Sequence, residues 1–142
     1  MTAKLPELWL QYALDDLHSA EALLNKGIYN MVCFHSQQVV EKLFKSIIAS
    51  YAQVIPRTHN LLRLHKICED LCDDKLDIDD ESLQFLNDIY IDSRYPADFG
   101  ILPAGQPDKN DALKAYDYAK RIDTVIRPIV KKIFKLVSDK RD

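Results

Sequence analysis

Phe34-His35-Ser36-Gln37-Gln38-Val39-Val40-Glu41-Lys42-Leu43-Phe44-Lys45-Ser46-Ile47-Ile48 repeats its apolar residues at helical rather than alternating spacing. At about 100° per residue, Val39, Val40, Leu43, Phe44, Ile47 and Ile48 spread over about half of a helix circumference. Gln38, Glu41, Lys42 and Lys45 gather on the other side, with His35 beside them. An apolar arc that wide exceeds what a surface helix needs, so the spacing predicts a central helix with neighbours on several sides. The polar ridge has two readings. It is either a solvated face with Glu41 and Lys45 as an i,i+4 pair, worth a few tenths of a kcal/mol, or a row of donors for an anion.

Working outward, the helix holding this stretch runs from about Tyr29 to Tyr51. Before it, Pro6 or Glu7 suits a helix start, since proline fits the first turn and an early carboxylate suits the helix dipole. Leu5, Leu8, Trp9, Tyr12, Ala13, Leu17, Ala20, Leu23 and Leu24 form one stripe, with Asp15, Asp16, His18, Glu21 and Asn25 facing away. Lys26-Gly27 supplies the stop, and so short a connection implies an antiparallel hairpin of the first two helices. After Pro56, the turn Pro56-Arg57-Thr58-His59-Asn60 offers Thr58 and Asn60 as caps for a third helix, about Leu61 to Leu71. Asp73 to Asp80 reads as an acidic loop, and Ser82 or Asp80 as the cap of a shorter fourth helix containing Leu83, Phe85, Leu86, Ile89 and Tyr90. Ser93 to Pro107 holds three prolines and two of the three glycines and reads as a long loop, a length that marks function or mobility. Asp108 caps a last helix carrying apolar residues from Ala112 to Val137, with a kink expected near Thr124 because of Pro128. No segment has strand periodicity. The expectation is an all-α bundle of about five helices in a single domain spanning 1–142.

Composition bounds the function. The 142 residues are 47% hydrophobic and 29% charged, with a net charge of -3, the profile of an ordinary globular chain. Three cysteines, Cys33, Cys68 and Cys72, do not make a disulfide framework, and no signal or membrane-length apolar run occurs, so a cytoplasmic protein without a membrane partner is expected. Ten acidic residues face one base between Glu69 and Asp92, whereas ten basic residues outnumber six acidic ones from Asp108 onward. That segregation either orients a partner or is a solvated loop beside a basic-leaning helix.

Four motifs in order resemble the HEPN family of small helical domains. They are Tyr12-Ala13-x-x-Asp16-Leu17-x-x-Ala20-x-x-Leu23-Leu24 followed by Gly27-x-Tyr29, then Phe34, Gln38, Glu41, Lys42 and Lys45 in the spacing Phe-x-x-x-Gln-x-x-Glu-Lys-x-x-Lys. Pro56-Arg57-Thr58-His59-Asn60-Leu61 and Ser93-Arg94-Tyr95-Pro96 complete the set, ahead of a terminal helix with Ala112 and Ala119. The resemblance implies a five-helix bundle, a homodimer, and either nucleotide binding or RNA cleavage, with a minimal nucleotidyltransferase as partner in a toxin–antitoxin-like pair. The RNA-cleaving branch carries Arg-x(4–6)-His on its last helix. Here the histidines are His18, His35, His59 and His65, none with such an arginine, and the last helix has none. Metal-independent cleavage needs a group that moves protons near neutral pH, so no catalytic residue is assigned on that pattern.

The candidate ligand set is therefore Gln38, Lys42, Lys45, His59, Arg94 and Tyr95, with Glu41 positioning them. Lysine supplies a point charge, arginine a planar fork and tyrosine a stacking face. The competing account is a structural network in which Glu41 pairs with Arg94 or Lys45 and His59 bridges. His65-x-x-Cys68-x-x-x-Cys72 offers three soft ligands where a structural zinc site wants four, so no metal or other cofactor is assigned. The leading expectation is a nucleotide-binding module that is not itself an enzyme. Its alternatives are an RNA-cleaving toxin using His59 with Arg57 or Arg94, and a dimeric scaffold with no small-molecule site.

Overall fold

The computed structural model describes residues 5–94 and 106–139. Among these are five helices and no strand: α1 (Leu5–Lys26), α2 (Tyr29–Ser50), α3 (Leu61–Cys72), α4 (Asp80–Arg94) and α5 (Lys109–Asp139). None of them is long and apolar enough to cross a membrane. The bundle is built around α2, which packs against each of the other four helices. Val39, Val40, Leu43, Phe44 and Ile47 are fully buried, and each large apolar side chain so placed contributes about 1.5–3 kcal/mol of transfer free energy. Ala112, Ala115 and Ala119 bring α5 in close, followed along its inner side by Ile122, Ile126 and Val130.

The helix ends follow from local chemistry. Gly27 takes φ 75°, and its N–H and that of Ile28 donate back to Leu24 and Leu23 carbonyls, closing α1 so that α2 turns back along it. Asn60 caps α3, its Oδ1 accepting from the N–H groups of Leu62 and Arg63, while Thr58 Oγ1 accepts from Asn60 N–H one step earlier. α5 opens on a reciprocal box: Asp111 N–H donates to Asp108 Oδ1 and Asp108 N–H to Asp111 Oδ2. It continues helical through Pro128.

Four expectations are corrected. α4 is capped by Asp79, which accepts from Ser82 N–H, not by Asp80 or Ser82. α4 also stays helical through Ser93 and Arg94, where a loop was expected. Asp16 faces inward and is 7% exposed, whereas Leu5, Leu8 and Tyr12 lie on the outside. The interior side of α1 is set by the small Ala13 and Ala20, which let it approach α2, and Asp16 enters because cations meet it there. Finally, Glu41 and Lys45 are not on a solvated face: they are 4% and 7% exposed.

Candidate functional site

Two carboxylates organise the polar side of α2. Asp16, reaching across from α1, accepts a hydrogen bond on Oδ1 from His35 Nδ1 at 2.7 Å, and Oδ2 takes the Lys42 ammonium. Glu41, on α2 itself, accepts on Oε2 from Lys45 Nζ at 3.0 Å and on Oε1 from His59 Nδ1 at 2.8 Å. Gln37 Nε2 donates to the same Oε1 at 3.3 Å and to the His59 carbonyl at 3.0 Å, so the turn bearing His59 is tied to α2 through both backbone and ring. Gln38 Nε2 donates to Gln37 Oε1, extending the chain of amides. Lys45 Nζ also lies 5.9 Å from the centre of the Trp9 ring, whose buried Nε1 finds no acceptor among the described residues.

The electrostatics follow from this pairing. Two lysines balance two carboxylates, so the net charge of the cluster is set by the histidines. Facing a carboxylate, each ring carries its proton on Nδ1, which leaves Nε2 to act as an acceptor when the ring is neutral and as a second donor when it is protonated. The Lys42 and His35 side chains are 24% and 22% exposed and that of His59 is 59% exposed, so three of the four nitrogen groups that meet the carboxylates also reach solvent.

An aromatic row adjoins this face. Tyr90 of α4 stacks on Phe34, with ring centres 5.8 Å apart and planes 20° apart, and meets the His59 ring at 5.7 Å and 36°. Beyond His59 opens a groove of about 330 Å³ between the 59–60 turn and α4.

Of the residues expected from sequence, Gln38, Glu41, Lys45 and His59 join one network, through Gln37, while Lys42 joins a second one around Asp16. Arg94 ends α4, one turn after Tyr90, but its side chain lies outside the described residues, as does Tyr95. Asp16, His35, Gln37, Tyr90 and Trp9 belong to the cluster without having been assigned to it. Asp16 carried a signal, a fixed position in the first motif, but not the direction it faces.

The soft residues of α3 are turned to separate partners. His65 packs on Phe44 and lies 3.6 Å from Glu69, and Cys68 donates to the Phe44 carbonyl. Burial pushes both the Cys68 and Cys72 thiols up, and burial together with a Cys72 hydrogen bond pushes Tyr51 up to about 12. Among the described residues no group of three or more His, Cys, Asp or Glu is placed to hold a metal ion.

Comparison with known proteins matches residues 6–129 to the HEPN domain. Similar crystal structures include TT1696 from Thermus thermophilus, at 28% identity over 87% of this chain and 96% of that one, with a TM-score of 0.68. The structure of ST0689, an archaeal HEPN homologue, shares the fold at 22% identity, covering 88% and 97% of the two chains with a TM-score of 0.64. A HEPN domain protein from Thermotoga maritima does so at 22% identity, covering 92% and 97%, with a TM-score of 0.54. No curated protein matches.

Proposed function

This chain belongs to the HEPN family, and we propose that it acts as a helical module binding a phosphorylated ligand, a nucleotide, on the open edge of α2. The observation that carries this reading is that Lys42, His35 and His59 are partly open to solvent while each is held by a buried carboxylate, Asp16 for the first two and Glu41 for the third. Burying two carboxylates with their cations costs desolvation that an apolar packing would avoid, which favours a use for the exposed ends of the cluster. Lys42 and His59 contact phosphate directly, Gln38 adds an amide, and Glu41 and Lys45 act from beneath by fixing the His59 turn. Arg94 and Tyr95 complete the proposed ligand set. The partnership with a minimal nucleotidyltransferase, and the toxin–antitoxin-like role, rest on the family resemblance. The homodimer is supported by the outer α1 stripe of Leu5, Leu8 and Tyr12, which is 40–53% exposed.

Calorimetric titration with ATP tests the binding. Wild-type protein gives saturable heat, and Lys42→Ala or His59→Ala weakens it at least tenfold. Absence of heat and of any thermal shift at millimolar ATP overturns the reading. Co-purification with a nucleotidyltransferase encoded beside it tests the partnership, and sedimentation of wild type against Leu8→Glu tests the dimer.

A second reading, metal-independent RNA cleavage, is favoured by the His59–Glu41 pair. A carboxylate that orients an imidazole is the arrangement a general base needs. Cleavage that persists in His59→Ala rules that mechanism out.

A further inference from the structure

We propose that the groove between the start of α1 and the far end of α5 docks an acidic amphipathic helix of a partner protein. Pro6 and Leu10 of α1, with Val130 and Phe134 of α5, make its apolar floor and wall, and it encloses about 290 Å³. None of these residues belongs to the Asp16 or Glu41 clusters.

The first support is a change of character along α5. In its first part the cations are in use: Lys114 lies over the Phe85 ring, Lys120 over Tyr116, Arg121 pairs with Asp117 and Arg127 with Asp123. Lys131, Lys132 and Lys135 are exposed and meet no carboxylate or ring among the described residues. The family match ends at residue 129, and α5 continues to Asp139. The three unused lysines, and the α5 side of the groove, therefore stand on a stretch of helix beyond the matched residues. Lys131 and Lys135 are four apart and share one side of α5. With Arg127 they form a row of about 12 Å along that side. Lys132 lies about 100° round from Lys131.

The second support is the shape of the recess, which decides between anionic partners. Leu10 and Val130 are already 6% and 1% exposed, so only a projecting side chain reaches the space between them and Phe134. A bilayer takes up protruding apolar side chains and not a covered floor. A nucleic acid would meet the lysines and leave the apolar floor unused. A helix supplies both contacts, because its residues three and four apart fall on one side. An apolar anchor enters the groove, and carboxylates one turn apart meet Lys131 and Lys135. Charge favours that partner: Arg127 is matched by Asp123, and the two lysines on the groove side stand against one carboxylate, Glu7. Arg127 Nη2 also donates to the Leu10 carbonyl, joining α5 to α1 and setting the groove in advance. Docking then orders little that is not already ordered.

The test is fluorescence anisotropy on the intact chain with a synthetic acidic amphipathic helix, carrying Leu and Phe anchors on one side and Glu on its flanks. Two analogues serve for comparison, one with the anchors replaced by Ala and one with Glu replaced by Lys. The acidic peptide is expected to bind at least tenfold tighter than either. Lys131→Glu combined with Lys135→Glu should lower that affinity at least tenfold and raise the affinity for the Lys analogue, a reversal that loss of folding cannot produce. Lys132→Glu makes the same change of charge off the groove and should stay within twofold of wild type. Equal binding of the acidic peptide and its Ala-anchor analogue overturns the recess as the docking element. A loss in Lys132→Glu as large as in the Lys131 and Lys135 pair reduces the lysines to diffuse charge and overturns the site. Binding to phosphatidylglycerol vesicles and not to the peptide overturns it in favour of a membrane surface. Self-association that sedimentation shows to be lost in the paired variant gives the groove to a second copy and overturns the separate partner. Absence of binding to every probe overturns the proposal outright.

Discussion

Asp16 and Glu41 hold the same pair of partners, one lysine and one histidine, yet they sit in different surroundings. Around Glu41 the lysine is enclosed: the Lys45 side chain is 9% exposed, flanked by the Trp9 ring, and only the histidine reaches water. Around Asp16 both partners are partly open, at 24% and 22%. The contrast separates two jobs that residue types alone do not distinguish. An enclosed pair is coupled to stability because neither charge has water to fall back on. A half-open pair can exchange its partner for a ligand at modest cost.

The largest effect that bears on this contrast is expected from Glu41→Ala. It strands the buried Lys45 ammonium and releases both Gln37 and His59, and urea denaturation should show a loss of about 3–5 kcal/mol. Asp16→Ala should cost less, about 1.5–3 kcal/mol, because Lys42 and His35 can turn to solvent. Equal losses in the two variants would erase the distinction between the nodes. Asn60→Ala removes the α3 cap beside His59 without touching either carboxylate. It should cost about 1 kcal/mol in the same measurement, and a larger loss would mean that the turn, and not Glu41, anchors this end.

The smallest effect is expected at Asp79, a carboxylate outside both nodes that is held by hydrogen bonds and not by a buried cation. Slight burial raises its carboxyl. The hydrogen bonds from Ser82, one from its own backbone, and the Arg121 charge together outweigh that and hold it below the ordinary 3.8. A lowered folded-state value contributes stability that is present above the unfolded value and is lost as pH falls through the folded one. Thermal melts of wild type and Asp79→Ala should therefore differ slightly at neutral pH and converge below pH ~3.8. A gap that widens on acidification would reverse the sign of the coupling.

Much of the fold was legible because helix signals are local. The spacing of Val39, Val40, Leu43, Phe44 and Ile47 announced a helix with neighbours on several sides, and Gly27, Asn60 and Asp108 marked ends that the structure places at those residues. The errors at the ends of α4 were also local in origin. Asp79, Asp80 and Ser82 are all competent caps, and only the final backbone geometry selects among them. Ser93 and Arg94 precede a proline-rich stretch that suggested an earlier end to α4.

The site was legible as a list of groups but not as an arrangement. Gln38, Glu41, Lys42 and Lys45 could be placed on one ridge by helical angle, since residues three and four apart on a helix are neighbours. That angle does not say whether the ridge faces water. Lys45 and Glu41 are buried because Trp9 and the His59 turn cover them, and both come from outside the helix.

By itself, then, the order of residues determined that the chain is helical, where most of its helices start and stop, and which charges share a side of α2. These are matters of contacts within a turn or two. Only the tertiary structure decided that Asp16 turns inward to meet His35 and Lys42, 19 and 26 positions away, and that Glu41 gathers Lys45 and His59 into one cluster. Such pairings depend on how α1 and the 57–60 turn pack against α2, which encloses the Lys45 side chain and leaves that of Lys42 partly open to solvent.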